Sequence, residues 1–66
     1  MEFGKELQRI LKEKGVSQTK LSKITGVYKT TIRDWYHDHH SPSLNKAELI
    51  LGVLGYEIKI VKKEGN

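Results

Sequence analysis

The stretch Ser17–Trp35, "SQTKLSKITGVYKTTIRDW", decides how the rest of the chain is read. Ser17 offers a side-chain oxygen where a new helix needs an acceptor for its first amides. Leu21 and Ile24 form the inward face of that helix. "TGV" at 25–27 breaks it, because Gly26 has no Cβ and is free to take a positive φ. A further helix then runs from about Tyr28 to Tyr36 and buries Ile32 and Trp35. Leu21, Val27, Ile32 and Trp35 stand at offsets that wedge two short helices together at a steep angle. Ser22 is small where they cross most closely.

A short capped helix, a glycine turn and a second helix so braced make a helix-turn-helix. In that arrangement the second helix enters the DNA major groove and the first lies across the backbone. Upstream, residues 2–14 read as a first helix, with Phe3, Leu7, Ile10, Leu11 and Lys14 on one stripe and the lysine as its snorkelling end. Gly15 is a left-handed stop. Downstream, a loop over 37–42 ends at Pro42. Ser43 caps a fourth helix carrying Leu44, Ala47, Leu51 and Leu54, which Gly55 closes. The expected fold is therefore mostly α, with four helices in residues 1–55.

Residues 56–66 differ. "YEIKIVKK" alternates, with Tyr56, Ile58 and Ile60 on one side and Glu57, Lys59 and Val61 on the other. β-Branched residues at period two argue for a strand. A lone strand leaves a row of unpaired backbone groups, so it needs a partner. The simplest partner is the same strand of a second copy. The expectation is thus a homodimer joined by a two-stranded antiparallel ribbon through Tyr56, Ile58 and Ile60; a frayed or helical tail is the alternative.

The composition limits what else the chain can be. At 66 residues it is one small domain with a thin core. It has no cysteine, which excludes disulfides, thiolate zinc sites and cysteine nucleophiles. No apolar run approaches the roughly 20 residues of a membrane span, and "MEFGKELQRI" has no apolar signal core. A cytoplasmic protein is expected. Lysine and arginine outnumber acidic residues 12 to 8, for a net charge of +4, which suits an anionic partner such as nucleic acid. No carboxylate pair, nucleophile–base set or phosphate loop appears at meaningful spacing, so no enzyme and no cofactor is expected.

The chain resembles the lambda-repressor-like, or XRE-type, helix-turn-helix family over residues 3–54. Gln18, Leu21-Ser22, Gly26-Val27, Ile32 and Pro42-Ser43-Leu44 match its pattern in order and without gaps. The ending "LGYEIKI" resembles the antitoxin and phage-regulator branch, which carries a C-terminal strand. Three departures stand out. Leu11 and Tyr36 occupy the positions of a partly buried Arg–Glu pair in the family, and the loss of both avoids stranding one buried charge; the two are expected to pack together. Tyr28 stands where Ser or Thr usually caps the recognition helix. Asp38 replaces a loop glycine, and Asp tolerates the left-handed region better than most residues.

The resemblance implies a regulator of transcription, a repressor above all, that binds an inverted-repeat operator as a dimer. The other reading is an antitoxin that binds a toxin protein and represses its own operon. Gln18 would contact the DNA backbone beside Ser17 and the first amides of its helix. Tyr28, Lys29, Thr30, Arg33 and Asp34 would meet bases. Lys29 and Arg33 can donate to guanine O6 and N7, and the Thr30 methyl can meet thymine. Asp34 can accept from cytosine N4 or simply orient Arg33. Thr31 and Lys46 are further backbone candidates.

All three histidines lie in "WYHDHHSP", residues 35–42. His37, His39 and Asp38 could in principle hold a metal, but the spacing matches no zinc pattern. The loop could also be an idle solvated surface. Its place after the recognition helix favours a third reading, in which His37, His39 and His40 donate to phosphate oxygens. Binding of that kind would strengthen as pH falls from about 8 to 6, because a polyanion favours charged imidazole.

Overall fold

A computed structural model describes residues 2–64. Four helices follow one another: α1 (Phe3–Lys14), α2 (Gln18–Thr25), α3 (Lys29–Tyr36) and α4 (Leu44–Val53). α3 packs against α1 and α2, and α2 packs against α4. The first and third helices begin one residue later than the sequence pattern indicates, at Phe3 and Lys29.

The caps follow the expected chemistry. Ser17 Oγ accepts the Lys20 amide at 3.0 Å, and Ser43 Oγ accepts the Lys46 amide at 3.3 Å. Tyr28 gives α3 no side-chain cap. At the turn, Gly26 takes φ 78°, a conformation that costs a side-chain-bearing residue strain, and its amide reaches Ser22 O. The Ser22 hydroxyl donates to Val27 O at 2.6 Å, so the small residue at the crossing also ties the turn down. α1 and α4 end alike: the Val16 amide reaches back to Leu11 O, and the Tyr56 amide to Leu51 O.

The core holds Phe3, Leu7, Ile10, Leu11, Leu21, Ile32, Trp35, Ala47, Ile50, Leu51 and Leu54, and among the described residues no polar side chain is buried in it. Phe3 meets Trp35 edge to face at a centroid distance of 6.2 Å, joining α1 to α3. Tyr36 packs against this cluster and lines a surface cavity with Leu11. Two expected core residues lie outside it. Ile24 is 51% exposed and Leu44 55% exposed, while Ile50 fills the α4 position the sequence pattern passed over. α2 has just two turns, so one inward residue, Leu21, saturates its contact. Leu44 sits in the first turn of α4, beyond the edge of the core. Lys14, at the end of the α1 stripe, is exposed, and its Nζ lies 5.7 Å from the centre of the Tyr56 ring.

Two polar contacts also join α1 to the end of α3 and the loop that follows it, and each caps a helix end. α1 has no side-chain cap of its own. Asp38, left-handed at φ 56°, supplies one from outside, with its Oδ1 accepting the Gly4 amide at 3.0 Å. In return Gln8 Nε2 donates to Tyr36 O at 2.7 Å. Gly4 is the residue this approach demands, because a Cβ there would stand 2.5 Å from Asp38 Oδ2 and 2.7 Å from Trp35 O.

The expected C-terminal strand is not formed: among the described residues there is no strand, and residues 56–63 have no regular structure. A single chain offers this segment no edge to pair with. Its alternation is nonetheless visible, since Ile58 packs against the core while Glu57 and Lys59 are exposed and joined at 3.3 Å. Ile60, expected on the same side as Ile58, is 92% exposed.

Candidate nucleic-acid interface

The rotation of α3 is set by Ile32 and Trp35, which anchor it in the core. Its opposite side must then face solvent. Lys29, Thr30 and Arg33 lie there together, all exposed, around a shallow hollow of about 160 Å³. Tyr28, at the start of the helix, is 81% exposed. Asp34 is half-buried at the edge of this face. No ion pair joins it to Arg33 among the described residues, where the ion pairs are Lys5–Glu2, Arg9–Glu6, Arg9–Glu13 and Lys59–Glu57.

That distribution separates two kinds of cation. Arg9 is held between two carboxylates: the hydrogen bonds its guanidinium donates to Glu6 and then to Glu13 raise its pKa above the ordinary arginine value. By contrast Lys20, Lys23, Lys29, Arg33 and Lys46 have no acidic partner among the described residues. The carboxylates in ion pairs thus lie on or before α1 and in the C-terminal segment, and none of the ion pairs reaches the cations of α2, α3 or the start of α4.

Two hollows flank the α3 face. One, of about 300 Å³, is lined by Tyr28, Thr31 and Lys46 with Thr25 and Leu49, so residues from three sequence regions converge. The other, of about 400 Å³, brings Ser17 and half-buried Gln18 beside Lys12 and Tyr36. Lys12 is a basic residue the sequence pattern did not single out. The signal was present: Gly15 folds the last turn of α1 against the first residues of α2.

His37, His39 and His40 are all exposed. The His37 ring packs edge to face on Tyr36 at 5.2 Å and lies 6.1 Å from that of His39. Asp38 is committed to Gly4, and among the described residues no three His, Asp or Glu side chains gather as a metal site. The loop is pinned at its start, where the His37 amide reaches Arg33 O and the His39 amide reaches Asp34 O.

The family model described as Helix-turn-helix matches residues 7–61, and the chain belongs to this family of DNA-binding regulatory domains. No curated protein and no solved structure gives a significant match. Among the described residues no helix is long and apolar enough to cross a membrane.

Proposed function

We propose that the protein is a transcriptional repressor that reads double-stranded DNA with the outer face of α3. The observation that carries this reading is the exposed, uncompensated Lys29–Thr30–Arg33 face, held in fixed rotation by Ile32 and Trp35. Arg33 and Lys29 donate to guanine edges, Thr30 meets a thymine methyl, Tyr28 reaches a neighbouring base, and Asp34 accepts from cytosine. Ser17, Gln18, Thr31, Lys46 and the His37, His39 and His40 loop hold the phosphates on either side, and position the helix without reading sequence.

Residues 1–55 form the DNA-binding unit, and residues 56–66 join two copies through Tyr56, Ile58 and Ile60. A dimer presents two α3 helices to an inverted repeat whose half-sites lie about 34–36 Å apart. The test separates base readers from backbone holders. On a duplex selected from a random library by the wild-type protein, Arg33→Ala costs about 1–3 kcal/mol and relaxes the preference at one base pair. Gln18→Ala weakens all sequences alike. Unchanged affinity of Arg33→Ala on that duplex would remove Arg33 from the base-reading set.

A further inference from the structure

The C-terminal segment carries more information than the fact of pairing, and the following rests on the dimer reading above. Tyr56, Ile58 and Ile60 share one side of an alternating segment, but the chain itself covers only part of that side. Ile58 packs on the core, Tyr56 is 37% exposed under Lys14, and Ile60 and Val61 are 92% and 78% exposed. The apolar side therefore runs off the end of its own protomer at Ile60. On the other side, Glu57 and Lys59 carry opposite charges two positions apart, at 75% and 74% side-chain exposure.

Directly opposed residues of an antiparallel pair point to the same side, so the register of a two-fold ribbon fixes which side chains meet. Registers in which odd positions oppose even ones set the apolar side of one strand against the charged side of the other. A two-fold axis at Glu57 puts glutamate on glutamate, and one at Lys59 puts lysine on lysine; like charges directly opposite are destabilising. An axis at Ile60 sets Ile58 against Lys62 and Tyr56 against Glu64. An axis at Tyr56 would need residues 52–55, which belong to the end of α4 and its left-handed cap at Gly55.

We infer that two copies of this chain pair their C-terminal segments antiparallel with the two-fold axis at Ile58. Ile58 then meets Ile58 of the second copy. Each exposed Ile60 gains the other copy's Tyr56, an aromatic–β-branched pair, which is among the favourable cross-strand combinations. Glu57 of each copy faces Lys59 of the other, so the ion pair that each chain forms within itself is exchanged for one across the interface.

The absence of cysteine makes the register directly readable. Opposed residues in such a pair lie about 4.5–5.5 Å apart, within disulfide reach, while those two positions off lie about 7–8 Å apart, beyond it. In the full chain, Ile58→Cys should cross-link to a covalent dimer under mild oxidation. Glu57→Cys and Lys59→Cys should each fail alone and should cross-link when mixed. Charge reversal gives a second measurement at two solvent-exposed positions. Glu57→Lys and Lys59→Glu should each weaken the homodimer about tenfold in sedimentation, and an equimolar mixture should form heterodimers of wild-type affinity or better. Efficient cross-linking of Glu57→Cys or Lys59→Cys alone, with a dimeric wild type, overturns the register and leaves the dimer standing. A wild type that sediments as a monomer, with no variant cross-linking, overturns the dimer itself.

Discussion

Residues 3–54 and residues 56–63 carry similar chemistry, alternating apolar and charged side chains, yet they end in opposite conditions. In the helical body the apolar stripes of all four helices meet in one core, and Leu7, Leu21, Ile32 and Ile50 reach complete burial. In the C-terminal segment Ile58 alone finds the core, and Ile60 and Val61 stand in solvent. The difference is one of partner supply. A helix satisfies its own backbone and needs only a surface to lie on, whereas a strand needs a second strand before its backbone is satisfied at all.

Substitutions in the two regions should differ accordingly, with the greatest effect in the core. Ile32→Ala removes a fully buried side chain shared by the core and the α3 anchor. It should lower unfolding free energy by about 2–5 kcal/mol in urea titration. A loss under about 1 kcal/mol would mean that α3 is not fixed by the core. Next comes the seam between α1 and α3. Gly4→Ala forces a methyl against Asp38 and the Trp35 carbonyl and should cost about 1–3 kcal/mol in the same titration. Should it prove neutral, the approach of the two helices is looser than the Gly4–Asp38 hydrogen bond requires. Smallest is Ile60→Ser, which should leave the unfolding of the isolated chain within about 0.5 kcal/mol while weakening self-association. An equal loss in both would place Ile60 in the core and erase the contrast.

How far each region was legible in the sequence follows the same division. The helices, the Ser17 and Ser43 caps and the Gly26 turn rest on short-range rules, and they read directly. Asp38 shows the limit. Its left-handed backbone was foreseeable from residue type, but its hydrogen bond to Gly4 spans 34 positions, and no local pattern announces it. Gln8 and the Tyr36 carbonyl are the same case at 28 positions. Ile24 and Leu44 were misread because periodicity says which way a side chain points, and not whether anything is there to meet it. On the candidate interface, Lys29, Thr30 and Arg33 followed from the motif because Ile32 and Trp35 fix the helix rotation. Lys12 was missed because its neighbourhood with Gln18 forms only when the chain turns at Gly15. The C-terminal segment displays an alternating pattern that the single chain does not turn into a strand.

If α3 reads the major groove, methylation of guanine N7 will block it. The duplex would be one selected from a random library by the wild-type protein, methylated sparsely and partitioned by binding. Two clusters of interfering guanines about 34–36 Å apart are expected, with one position in each losing its interference in Arg33→Ala. Binding indifferent to N7 methylation at every guanine would contradict it.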